Sequence, residues 1–155
     1  MLKKMSLFAF IMLLSSEVFA ETQRKIPMEK IGKNIGTYFE IPVSDLERAM
    51  KFYSSVFGCE FTRDNVHGNE MALFSFNENA AGITGALAKG EIYKPSTSGS
   101  LIYLSSEDIE KTLEKVTSQG GKILFPRTAA GVYGFVAEFK DLEGNRIALF
   151  ESNKQ

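Results

Sequence analysis

Two stretches of the chain, GTYFEIPVSDLERAMKFYSSVFGCEF from Gly36 and GSLIYLSSEDIEKTLEKVTSQGGKILF from Gly99, carry one pattern 63 residues apart. Asp45 aligns with Asp108 and Gly58 with Gly121. The same offset sets Leu46 on Ile109, Phe61 on Leu124, Phe76 on Phe139 and Leu87 on Phe150. Because apolar positions meet apolar positions beyond the two helical patterns, the period marks a duplicated supersecondary unit rather than chance likeness of two amphipathic helices.

Each unit reads as strand, helix and three strands. Around Tyr38 to Ile41, β-branched and aromatic residues alternate, with Tyr38 and Glu40 on one face and Phe39 and Ile41 on the other, and Pro42 ends the strand. Ser44 followed by Glu47 predicts a capping box. The helix it opens carries Leu46, Ala49, Met50, Tyr53, Val56 and Phe57 in one stripe and Glu47, Arg48 and Lys51 opposite, with Gly58 as its stop. Next come a strand CEFTRD, a loop DNVHGNE turning at Asn65 and Gly68, a strand MALFSF and a Gly-rich strand AGITGALA. The second unit repeats the order: a strand at Leu101 to Leu104, a helix over 107–119, a stop at Gly120 and Gly121, a strand at Lys122 to Phe125, then VYGFVAEF, the turn KDLEGN and RIALFE. The expected fold class is α+β, with two tandem βαβββ modules over 35–88 and 100–152, a linker over 89–99 and a tail over 153–155. A helix on one face of each sheet leaves the other face for a ligand or partner.

At 155 residues and 44% hydrophobic composition the chain can bury a core, and a net charge of −1 with no basic run argues against nucleic acid. Residues 1–20 have the order of a secretory signal peptide: Lys3 and Lys4, an apolar run from Leu7 to Leu14, two serines, then Val18-Phe19-Ala20. That run is short of the roughly 20 residues a spanning helix needs, so the expected product is periplasmic or secreted, with no membrane association once the leader is removed. Residues 21–34 read as a tether. Cys59, the single cysteine, cannot form an internal disulfide. A strand-start thiol or an intermolecular bridge are its readings.

The stretches IPVSDLERAMKFYSSVFG and FKDLEGNRIALFE resemble the first-helix signature and the closing D-P-x-G-N turn of the vicinal oxygen chelate superfamily, which includes glyoxalase I, bleomycin-resistance proteins and extradiol dioxygenases. Leu142 stands where Pro is usual. The resemblance covers 35–152 and implies paired, curved mixed sheets enclosing a cleft, built within one chain or between two copies in a homodimer. It also implies four symmetric metal-ligand places. Carried over by position these are Tyr38, Gly85, Leu101 and Ala148, none a usual ligand, since metalloenzymes of the group need imidazole or carboxylate donors there. No metal or other cofactor is therefore expected. Glu40, two residues beyond Tyr38, is the one plausible oxygen donor. The sole histidine, His67, reads as an exposed loop residue.

What remains is a ligand trough of Tyr38, Glu40, Tyr103 and Leu101 with Phe74 nearby, suited to a small aromatic or cationic molecule. The competing reading has the tyrosines packing the module junction and Glu40 paired to Arg63 or Arg146. The leading function is metal-independent small-molecule binding of the bleomycin-resistance kind. Two alternatives stand beside it: a metal-independent lyase or isomerase with Glu40 as general base, and a metal-dependent glyoxalase or dioxygenase.

Overall fold

The structure, a computed structural model, describes residues 35–153. The leader and tether expected over 1–34 lie outside the described residues. The first module runs β1 (Phe39–Pro42), α1 (Leu46–Phe57), β2 (Phe61–Val66), β3 (Asn69–Phe74) and β4 (Gly85–Lys89). The second runs β5 (Ile102–Ser105), α2 (Ile109–Ser118), β6 (Lys122–Ala129), β7 (Gly134–Lys140) and β8 (Arg146–Ser152). Two tandem βαβββ modules are thus present. Each makes a mixed four-stranded sheet, in the orders β1-β4-β3-β2 and β5-β8-β7-β6, with β1 parallel to β4 and β5 parallel to β8. The sheets share no ladder and do not close on each other.

The helix starts differ from the capping-box expectation. Asp45, not Ser44, is the N-cap of α1, and its carboxylate accepts from the Arg48 N–H at 3.0 Å. Asp108 does the same for α2 through the Lys111 N–H at 3.1 Å. The reason is competition: the Ser44 hydroxyl is drawn to Glu143, and Glu47 is ion-paired with Arg63 on β2. Gly58 ends α1 in the left-handed conformation at φ 69°. The loop expected over DNVHGNE is instead a tight hairpin. Val66 pairs with Asn69, and only His67 and Gly68, at φ 51° and 85°, turn the chain, which is the sign pattern of a type I′ turn. His67 is exposed there.

One core serves both modules. Leu46, Ala49, Phe52, Tyr53 and Val56 of α1 pack with Ile41 and Leu87 of the first sheet and with Ile109, Leu113, Val116, Phe139, Ile147 and Leu149 of the second module. The rings of Phe52 and Phe139 meet at 6.2 Å across the junction. The helix-bearing faces of the two modules therefore bury each other, and the opposite faces are left outward.

The repeat is exact only at its start. β1 and β5 keep the offset of 63, since Phe39 pairs with Gly85 as Ile102 pairs with Ile147. Those same pairs set Gly85 on Ile147, a separation of 62. Leu73 pairs with Ala86 as Glu138 pairs with Ala148, a separation of 65. Unequal turns cause the drift. The β3–β4 connection spans 75–84, whereas the β7–β8 turn spans 141–145.

Candidate functional site

Strand alternation sorts the candidate residues by face. Ile41 and Leu87 belong to the core, so their neighbours Glu40 and Ala86, which pair with each other, face outward. In the second module Ile147 and Leu149 are in the core, and Ala148 faces outward beside Tyr103. Tyr38 and Tyr103 are 45% and 55% exposed, so neither packs the module junction. They belong to different modules, whose sheets share no ladder.

Two expected positions need correction. Gly85 lies on the helix side under Phe39: a Cβ there would sit 2.1 Å from the Phe39 carbonyl oxygen and 2.6 Å from its ring. The outward residue of that strand is Ala86. Phe74 also lies on the helix side, its ring 5.8 Å from Tyr53, 4.8 Å from Phe61 and 6.0 Å from Phe39. It is a core residue, away from Tyr38 and Glu40.

Glu40 is not held by either expected arginine. Arg63 pairs with Glu47, and Arg146 grips Glu138 through two bonds of 2.7 and 2.8 Å. Its partner is instead Tyr93, from the linker, whose hydroxyl donates to Glu40 Oε2 at 2.7 Å. Tyr93 packs on the outward face of the first sheet against Met71, Ala86 and Ala88. Hydrogen bonding to Glu40 raises the Tyr93 phenol above its ordinary pKa, with burial and the charge of Glu40 adding to it. Burial first, then Glu40, raises Tyr38. Periodicity could not find Tyr93, because the linker has none; an isolated aromatic in KGEIYKPSTSG was the only signal.

On its other side Glu40 borders a hollow of about 190 Å³ between the modules. Lys94, Ser96, Ser100, Ile102, Asn145 and Arg146 also line it. Its floor is fixed by Asn145, whose Nδ2 donates to the Pro42 carbonyl at 2.8 Å while its Oδ1 accepts from the Ser96 N–H at 3.1 Å. The frame is tightened by Glu143, which caps the first module from the closing turn of the second. Its carboxylate accepts from the N–H groups of Ser44 and Asp45, from the Ser44 hydroxyl and from Arg48. Burial alone would raise its pKa; the bonds from Arg48 and Ser44, with the backbone donors, outweigh that and bring it to about 2.

The outward donor set of Glu40, Ala86, Tyr103 and Ala148 does not fit a catalytic divalent ion. One carboxylate and one phenol, each paired in its own sheet with an alanine, supply too few first-shell donors. Among the described residues no three of His, Cys, Asp and Glu converge on one point.

Comparison with known proteins agrees with the architecture. A glyoxylase-like domain-containing protein from Didymella fabae is 33% identical over 114 residues, covering 71% of this chain and 88% of its own length. An antibiotic binding protein from a Streptomyces species superposes with a TM-score of 0.56 at 21% identity, over 79% of this chain and 99% of that one. Glyoxalase I from Zea mays superposes with a TM-score of 0.56 at 21% identity over 74% of this chain, which spans only 44% of the maize enzyme. At such identities these structures share the fold alone. The family model for the Glyoxalase/Bleomycin resistance protein/Dioxygenase superfamily matches residues 36–149, and with two βαβββ modules in that order the chain belongs to this superfamily.

Proposed function

We propose that this protein is exported and binds a small aromatic or cationic molecule without a metal, sequestration being its activity. The observation that carries the reading is the outward pairing of Glu40 with Tyr93, beside exposed Tyr38, at a place where the superfamily's metal donors have no counterpart. The antibiotic binding protein from Streptomyces shows that the same fold occurs in a protein named for binding. A homodimer completes the site in this reading. Because each chain buries its two helix-bearing faces together, a second copy supplies the wall that Tyr38 and Tyr103 lack. Export rests on the leader pattern, and N-terminal sequencing of envelope-fraction protein is expected to start at Glu21.

The test is a thermal-shift screen with a chemically diverse library that includes aromatic cations. A specific rise in melting temperature is expected, since a ligand preferring the native state stabilises it by mass action. A flat response across the library would overturn the proposal. The Glu40 Oε1 oxygen, which meets no donor among the described residues, favours one second reading, a metal-independent lyase or isomerase with Glu40 as general base. Solvent deuterium entering the α-carbon of a bound carbonyl compound, and lost in Glu40→Gln, is the outcome specific to it.

A further inference from the structure

We propose that Glu40 and Tyr93 form a recognition element for an organic ammonium group, with Tyr38 as a second aromatic wall; this rests on the small-molecule-binding reading and names its ligand class. Tyr93 comes from the inter-module linker and folds back on the first sheet, where Met71, Ala86 and Ala88 seat its ring. Its hydroxyl engages Oε2 of Glu40 and so fixes the carboxylate, leaving Oε1 for a ligand. Among the strand residues of the first sheet, Asp64, which pairs with Met71, is the other carboxylate that alternation puts on this face. Glu70, Glu47 and Glu138 lie on other faces and are paired with Lys89, Arg63 and Arg146. Among the described residues no lysine or arginine lies within ion-pairing distance of Glu40.

A carboxylate fixed by one phenol and flanked by another attracts positive charge twice, through its own charge and through the negative faces of the rings. An alkylated ammonium suits it best, because such a cation has little hydrogen bonding with water to lose. An anion would meet Glu40 directly. Lys94 lines the same hollow and opposes a bound cation, which gives the proposal a test of sign.

The experiment is calorimetric titration of the purified protein with choline and with its uncharged isostere 3,3-dimethylbutan-1-ol. Choline should bind at least about tenfold more tightly than the alcohol. Glu40→Gln should weaken choline about tenfold or more, and Tyr93→Phe, which keeps the ring and loses the hydroxyl, roughly threefold to tenfold. Lys94→Gln should tighten it. Melting temperatures of Tyr93→Phe and Glu40→Gln within a few degrees of the parent establish that binding rather than folding is being read, so the test stands even if Tyr93→Ala does not fold. Equal binding of both probes, no effect of Glu40→Gln, or weaker binding in Lys94→Gln each overturns the ammonium site. The small-molecule reading survives those results if the ligand library still raises the melting temperature, and falls with them if it does not.

Discussion

The hydroxyl of Tyr53 on α1 donates to Oδ2 of Asp141 in the β7–β8 turn at 2.9 Å, both groups being buried. The bond ties the helix of one module to the last turn of the other. Asp141 gathers that turn as well: its Oδ1 accepts from the N–H groups of Glu143, Gly144 and Asn145, and its Oδ2 also accepts from Asn145 Nδ2. Burial first, then Asp141, pushes the Tyr53 phenol well above its ordinary pKa, so it stays a neutral donor.

Tyr53→Phe keeps the ring, which stacks on Phe57 at 6.0 Å, and deletes only the donor. Asp141 retains its other donors, so the expected loss is about 1–3 kcal/mol of unfolding free energy. Urea denaturation should show a lower midpoint at an unchanged slope. A midpoint equal to the parent's would show that the inter-module bond contributes nothing net.

Glu143 makes stability fall in acid. Its folded pKa of about 2 lies below the usual 4.5, so its contribution is complete above about pH 4.5 and is lost as pH falls toward 2. The Glu143 side chain is 1% exposed but its partner Arg48 is 47% exposed, so with solvent screening the contribution is about 1–2 kcal/mol. Glu143→Gln should lower stability at pH 7 and flatten the slope between pH 4.5 and 2. Parallel stability curves for parent and variant over that range would contradict the assignment.

The repeat made the fold legible because Asp45 and Asp108, and the apolar stripes behind them, recur before any turn has changed length. Past the second strand the offset misleads. It matched exposed Phe76 to buried Phe139, whereas the strand pairing that sets Leu73 on Glu138 makes Phe74 the counterpart of Phe139. It also put Gly85 outward by one residue, and a one-residue slip turns a side chain to the other face. The apolar stripe read from the sequence omits Phe52, because a single-sided stripe describes a helix on one sheet, and this helix also buries itself against the second module. Glu40 and Tyr38 were readable from alternation, but Tyr93 depends on how an aperiodic linker folds back.

Gly85 tests that corrected register directly. Gly85→Ala places a methyl against the Phe39 backbone, which cannot move without disturbing the β1–β4 ladder, so a loss of about 1–3 kcal/mol is expected. Gly99→Ala, where a Cβ meets nothing within 4 Å, should leave the melting temperature unchanged and serves as the control. Equal behaviour of the two variants would show that Gly85 faces open space.

The purified protein should carry no stoichiometric nickel, zinc, iron or manganese, and ligand binding should survive dialysis against a chelator. The expectation holds under either register. With Tyr38, Gly85, Leu101 and Ala148 inward to the cleft there is one phenol, which must ionise from a reference pKa near 10 and is pushed higher still by burial and by Glu40. With Glu40, Ala86, Tyr103 and Ala148 there is one carboxylate, already accepting from Tyr93, and one exposed phenol. Hydrogen bonds that orient ligands elsewhere in metal sites cannot replace a missing first shell. Close to one metal per chain by elemental analysis, lost in Glu40→Gln, would overturn the metal-independent reading and bring forward a metal-dependent glyoxalase or dioxygenase. Metal at that level but retained in Glu40→Gln would place it elsewhere on the chain and leave the Glu40–Tyr93 site standing.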